Sequence, residues 1–173
     1  MYRWTVARVL RSVYRRAFAG QDSLMMMATA ADVTFKFPGS SSFAASLAGR
    51  EPLREWLARF TALSPRFDIR DIVVSGPPWN MTVAVRFHDA IGADYENEGV
   101  EWLRIRRGRV RSLEVFLDTE RVSSWEGRHP GIAGSPGAVD ESPVRLDPPV
   151  QADDQAGRTV QPGVVYFSAR AER

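Results

Sequence analysis

From residue 6 onward, apolar side chains recur at helical spacing. Val6, Val9, Leu10, Val13, Ala17 and Phe18 share one side, while Arg8, Arg11, Ser12, Arg15 and Arg16 fill the other. Gly20 supplies a C-terminal stop, and Asp22 is placed to cap a second, short helix through Leu24, Met25, Met26 and Met27. The pattern then becomes alternating. Val33, Phe35 and Phe37 fall on one face and Asp32, Thr34 and Lys36 on the other, which predicts a strand that stops at Pro38-Gly39 and a serine-rich loop. Leu53, Trp56, Leu57, Phe60 and Leu63 return to helical spacing behind a first-turn proline, Pro52. Strands follow near 66–75, 81–89, 95–106 and 110–117, and Asp118 opens a last short helix with Glu120 and Val122.

Beyond Trp125 the periodicity ends. Six of the eleven prolines lie there, among scattered Gly, Asp and Ser. Such a stretch buries too little apolar surface to offset its ordering entropy. The division expected is therefore one domain over 1–126 and a mostly disordered tail over 127–173, in which Val164-Val165-Tyr166-Phe167 is the one cohesive spot.

With 44% hydrophobic and 10% aromatic residues, 173 positions suffice for one well-packed domain. The absence of cysteine removes disulfides, thiolate nucleophiles and cysteine metal sites. Two histidines, His88 and His129, do not make a zinc or iron centre, so no metal and no cofactor are expected. No apolar run is long enough to span a membrane, and the arginine-studded N-terminus lacks the continuous apolar stretch of a secretory signal; cytoplasm is the expected location. All basic residues but Lys36 are arginine, a type that suits phosphate. The 21 acidic residues are interspersed with them and no long basic run occurs, so nucleic-acid binding is the weaker reading and a solvated surface the stronger.

The order helix, helix, strand, helix, then four antiparallel strands resembles the nuclear-transport-factor-2-like superfamily, which includes the SnoaL-like polyketide cyclases and the ketosteroid isomerases. The resemblance covers about residues 5–126 and is carried by Ala30-Ala31-Asp32-Val33-Thr34-Phe35 before Phe37-Pro38-Gly39, by Gly49 ahead of the third helix, and by Gly108-Arg109-Val110 through Phe116-Leu117-Asp118-Thr119. It implies an α+β fold: a curved, mainly antiparallel sheet forming a cone-shaped barrel around three N-terminal helices, with a mostly apolar pocket at its open end. These stretches specify fold and contain no catalytic motif.

Candidate chemistry begins on the long strand. Alternation puts Glu101 on the same inward face as Leu103 and Ile105, against Val115 and Leu117 of the last strand. A carboxyl among aliphatics is held toward its neutral form. A wet strand end or an arginine partner is the plainer explanation for it. Tyr14 flanks the first helix's apolar stripe; a boundary core tyrosine is its plainer explanation. The resemblance sharpens both. Ketosteroid isomerases carry a helix-one tyrosine eight residues before an aspartate, as Tyr14 stands before Asp22, and a protonated acid seven to nine residues before a turn glycine, as Glu101 stands before Gly108. Such a pair forms an oxyanion hole. The isomerase's proton-shuttling carboxylate is replaced here by Phe37, which argues against steroid isomerisation.

His88 is the replacement base considered, and two readings of its direction conflict. Alternation of Val83, Val85 and Phe87 sends Arg86 and His88 outward, whereas counting back through Gly92 as in the isomerases turns them inward. Limonene-epoxide-hydrolase relatives use an arginine and a carboxylate two residues apart on this strand, and a second carboxylate on the last strand. Here those positions hold Arg86 and His88, and Val115, so that triad is absent. Phe37, Leu103 and Val115 are expected to line the pocket. Trp79, in Pro77-Pro78-Trp79-Asn80, is expected at its rim or packed over the hairpin. Asp32 and Asp118 read as caps, and Asn80 and Asn97 as strand-edge residues. The expected function is binding of a small apolar molecule, with cofactor-free isomerisation, cyclisation or dehydration as the chemistry; the alternative is a non-catalytic ligand-binding or dimerisation module. Trp102 and Phe116 share the outward face beside Arg104 and Arg106, which points to a homodimer through that face.

Overall fold

The computed structural model describes residues 2–131. Helix α1 (Tyr2–Phe18) is followed by α2 (Ser23–Ala28), β1 (Thr29–Phe37), β2 (Ala45–Ala48), α3 (Arg50–Ala62), β3 (Arg66–Ser75), β4 (Asn80–Ile91), β5 (Tyr95–Arg106), β6 (Arg109–Leu117) and α4 (Thr119–Arg128). Of the tail expected over 127–173, residues 132–173, including Val164–Phe167, lie outside the described residues. Within them, α4 runs past the boundary expected at 126, because His129 packs on the Trp125 ring and its Nδ1 lies 2.9 Å from the Trp125 carbonyl.

Six strands form one sheet in the order β2-β1-β6-β5-β4-β3. Every neighbour pair is antiparallel except β1–β6. The sheet curves without closing, so β2 and β3 are its edges, and α1 and α3 lie on its inner face. Alternation is kept along the long strands. Met81, Val83, Val85 and Phe87 of β4 and Glu101, Leu103 and Ile105 of β5 are buried, while Arg86, Trp102, Arg104 and Arg106 are exposed. β2 departs from the expected loop: its four residues alternate too briefly, inside a serine-rich stretch, to be told from a turn.

The helix ends follow local chemistry. At the end of α1, the Gly20 amide donates to the Ala17 carbonyl and the Gln21 amide to the Arg16 carbonyl, a Schellman closure that requires Gly20's φ of +79°. Asp118 caps α4 by accepting from the amides of Glu120 and Arg121, each at 3.1 Å. Asp32 is not a cap. It lies within β1 and pairs with Arg111 across the outer face. Asp22 precedes α2 without a side-chain capping bond.

Two apolar clusters fill the concave side. One joins α3 to β1, with the Trp56 ring against Phe35 and Phe37 at centroid distances of 4.5 and 5.4 Å. The other joins α1 to β3, β4 and β5, with Tyr14 stacked on Phe67 at 5.6 Å and Phe18 on Phe67 at 4.4 Å.

Candidate functional site

Between these clusters the sheet and helices enclose a cavity of about 270 Å³. That is near the lower end of the range for small-molecule sites, roughly 300–1,000 Å³. Phe37, Leu103 and Val115 line it, with Phe35, Trp56 and Leu113 among the other apolar walls. Apart from Thr5 and Thr29, the polar side chains on its surface are Tyr14, Glu101 and Asp89.

Tyr14 comes from the fourth turn of α1, and Glu101 from the middle of β5, where it is paired with Val85 and Val115. Both are buried, and the tyrosine hydroxyl donates a hydrogen bond to Oε2 of Glu101. Burial lifts the Glu101 carboxyl to about 7; the bond from Tyr14 pulls it down, and the nearby Asp89 charge pushes it up. The Tyr14 hydroxyl is itself held well above its ordinary range, by burial first and then by Glu101.

Asp89 sits near the far end of β4, paired with Asn97. It is 2% exposed, and its Oδ1 has no hydrogen-bond partner among the described residues. Burial raises its carboxyl to about 6, opposed by its own backbone amide, by the neighbouring His88 and by the Tyr95 hydroxyl. The cavity thus holds two carboxyls that titrate near neutrality within apolar walls. Such an arrangement can accept a proton at one group while donating a hydrogen bond from the other.

The family model described as a SnoaL-like domain matches residues 10–113. The chain belongs to the SnoaL-like domain family. Solved structures share its fold. A nuclear-transport-factor-2-like protein from Burkholderia xenovorans aligns with a TM-score of 0.54 at 14% identity, over 68% of this chain and 92% of that one. A provisionally named polyketide cyclase from Xanthomonas campestris gives 0.53 at 16% identity, over 72% and 98%. A de novo designed protein with a curved β-sheet gives 0.57 at 16% identity, over 76% and 97%. Of the curated proteins, none matches this chain. A designed protein scores as high as the natural ones, so the fold by itself says nothing about the chemistry inside it.

In this SnoaL-like domain His88 is not in the cavity. It stands on the outer face, about a quarter exposed, with Nε2 3.8 Å from Glu96. The three-residue turn Gly92-Ala93-Asp94 pairs Ile91 with Tyr95, which keeps the odd-numbered residues of β4 inward and leaves Arg86 beside Glu98 outside. Apolar alternation therefore predicts the direction correctly, and its next inward member is Asp89. The intrinsic pKa of histidine favours His88 as a base, and that signal masks the carboxylate beside it.

Trp79 does not line the cavity either. It is 67% exposed in the β3–β4 turn, where its carbonyl accepts from the Arg107 amide. Asn97, read from sequence as a strand-edge residue, is buried within β5, and its side-chain amide donates to the Asp118 carbonyl at 2.9 Å. Among the described residues no cluster of three His, Cys, Asp or Glu side chains is placed to hold a metal ion. No helix among them is long and apolar enough to cross a membrane.

Proposed function

We propose that the domain binds a small, largely apolar molecule carrying one carbonyl or hydroxyl oxygen, and catalyses cofactor-free proton transfer on it, such as an isomerisation, cyclisation or dehydration. The observation that carries this reading is the buried Tyr14–Glu101 hydrogen bond in an otherwise apolar cavity that also contains the unpartnered Oδ1 of Asp89. A buried polar group without a partner is costly to retain, and a ligand group is what would satisfy it.

Protonated Glu101 donates to the ligand oxygen, and Tyr14 acts through Glu101 by holding its other oxygen. Asp89, whose carboxyl ionises at the lower pH of the two, is the base. For an enolisable ketone, Asp89 takes the proton from the carbon next to the carbonyl, and Glu101 stabilises the resulting enolate oxygen. The same proton, returned to a different carbon, completes an isomerisation. Asp89 here takes the role that the sequence suggested for His88.

The test is native mass spectrometry of the purified protein to identify a retained molecule, then exchange of carbon-bound hydrogen for deuterium in bound apolar ketones. Exchange that disappears in Asp89→Asn and in Glu101→Leu is expected. Ketones that bind without exchanging would leave the non-catalytic binding module as the function.

A further inference from the structure

Seven large apolar side chains are exposed among the described residues, and they form two groups. Val73, Trp102 and Phe116 stand on the outer sheet face. Trp4, Val9, Met27 and Trp79 are 53–69% exposed and belong to elements that meet at one end of the sheet: the first half of α1, the end of α2 and the β3–β4 turn. Hydrogen bonds tie the elements that carry them. The Tyr2 hydroxyl donates to the Gly76 carbonyl, the Arg107 amide to the Trp79 carbonyl at 2.9 Å, and the Arg109 guanidinium to the Met27 carbonyl at 2.9 Å.

The cavity opens at this same end. Of its lining residues only Thr5, Val9 and Gly108 are exposed, and these belong to the first half of α1 and the β5–β6 turn. Val9, expected on the buried stripe of α1, is instead 53% exposed at this mouth.

Charge is distributed along the same axis. Arg106, Arg107 and Arg109 flank the mouth residue Gly108 in sequence, Arg3 and Arg8 lie on the first half of α1, and none of the five forms an ion pair among the described residues. The Arg8 guanidinium lies 5.3 Å from the Trp4 ring centroid. Asp94, Glu96, Asp118 and Glu120 occupy the opposite end, around the β4–β5 turn and the start of α4, where Arg121 and Arg128 offset part of their charge. Tryptophan beside arginine on an exposed apolar rim is the composition suited to the headgroup zone of a bilayer, where the rings meet the acyl boundary and the cations meet anionic lipid. The acidic end would turn away from such a surface.

We propose that the arginine- and tryptophan-bearing end of this domain docks on an anionic lipid bilayer, so that the cavity mouth faces the membrane. An apolar ligand would then pass between lipid and cavity without crossing water. The passage of ligand rests on the cavity being a ligand site, but the docking does not.

The test is cosedimentation of the full chain with phosphatidylcholine vesicles, with and without phosphatidylglycerol, and with tryptophan fluorescence as a second readout. Retention on the phosphatidylglycerol vesicles alone is expected, with a blue-shifted emission and weakening as salt is raised. Binding should fall on the order of tenfold or more in Arg106→Glu/Arg107→Glu. It should also fall in Trp79→Ser and stay unchanged in Arg128→Glu, the same change of charge at the opposite end. All of these positions are exposed, and matching thermal midpoints would show that the variants are folded. No retention on phosphatidylglycerol vesicles, retention indifferent to these substitutions, or equally tight retention on duplex DNA would overturn the proposal. Ketone binding without vesicle binding sinks only the docking. Vesicle binding without any bound small molecule sinks only the cavity's function.

Discussion

The hydroxyl of Tyr14 donates to Oε2 of Glu101 across 87 positions of sequence, inside an apolar cavity. This bond is the main influence that lowers the Glu101 carboxyl against the effect of burial. Tyr14→Phe removes the donor and keeps the ring. The Glu101 carboxyl should then titrate above its present value of about 7. At pH 8, where the charged carboxylate loses its donor, the variant should be less stable by about 1–3 kcal/mol. At pH 5 the loss should be smaller. Carbon-13 NMR of the side-chain carboxyl and denaturant melts at the two pH values check both. An unmoved titration would mean that the bond does not govern Glu101.

Asp89 and Glu101 also set a pH dependence of stability with a definite sign. Their folded-state values of about 6 and about 7 lie above the ordinary 3.8 and 4.5. The folded protein therefore binds more protons than the unfolded chain between pH 4 and 7, and stability falls as pH rises through that window. The stabilisation is full below the unfolded values and lost once pH passes the folded ones. Each carboxyl contributes at most roughly 3 kcal/mol, since a tenfold change in proton affinity is worth about 1.4 kcal/mol. Asp89→Asn and Glu101→Gln should each flatten the slope, and the double variant should be the flattest. Urea melts from pH 4 to 8 measure it. A wild-type slope of the opposite sign in this window would contradict the assignment.

If the two carboxyls act as base and acid, activity needs Asp89 ionised and Glu101 protonated. That state is most populated between about 6 and about 7. Hydrogen exchange of a bound ketone should therefore follow a narrow bell in pH with its maximum in that interval. Asp89→Asn should abolish the exchange, while Glu101→Gln, which keeps a neutral hydrogen-bond donor, should remove the alkaline limb. An exchange rate that only rises toward pH 9 would point to a different base.

How far the sequence was legible depended on how regular each signal was. Strand faces were readable wherever branched and aromatic residues alternated over several positions, so the inward set of Glu101, Leu103 and Ile105 emerged from the pattern alone. The Tyr14–Glu101 contact needed the resemblance, because a helix-to-sheet contact leaves no local trace in either segment. Asp89 was in principle readable as the inward residue after Val83, Val85 and Phe87. Its significance depends on an orphaned oxygen and on burial, which only three dimensions reveal. That Trp79 does not line the cavity was unreadable for a related reason. Turn residues have no alternation to orient them, and a tryptophan in a Pro-rich turn can face either way.

Gly99 illustrates a constraint that composition hides. It faces inward on β5 opposite Phe87, and an added Cβ would lie 2.5 Å from the Phe87 Cζ, 2.7 Å from the Phe116 carbonyl oxygen and 3.0 Å from the Leu117 Cβ. The ring can swing away, but the backbone oxygen of the paired strand cannot. Gly99→Ala should therefore destabilise the fold by about 1–3 kcal/mol, and adding Phe87→Leu should recover only part of it. Full recovery by the second substitution would show that the ring alone requires the glycine.

The outer sheet face carries the last prediction. One cross-strand row runs from Val73 on β3 through Ala84 on β4 and Trp102 on β5 to Glu114 on β6, and the adjacent row brings Val100 beside Phe116. Trp102 is 42% exposed, Phe116 54% and Val73 63%, so three large side chains form a contiguous apolar surface on the convex side of the sheet. Arg104 and Arg86 border it, the latter paired with Glu98 at 3.2 Å. Contiguous aromatic and aliphatic surface beside arginine is the composition of a protein contact. A second copy of the same face, turned by a two-fold axis, would cover it with like residues. We therefore propose a homodimer with Trp102 near its centre. It shares no residue with the cavity mouth, so dimerisation and bilayer docking are compatible. Sedimentation equilibrium of the full chain should give a dimer. Trp102→Glu should give a folded monomer, because a buried pair of carboxylates across the axis would repel. Phe116→Glu should weaken the dimer by a comparable amount, whereas Trp79→Ser should leave it intact. A wild type that sediments as a monomer at every concentration would remove the interface from consideration.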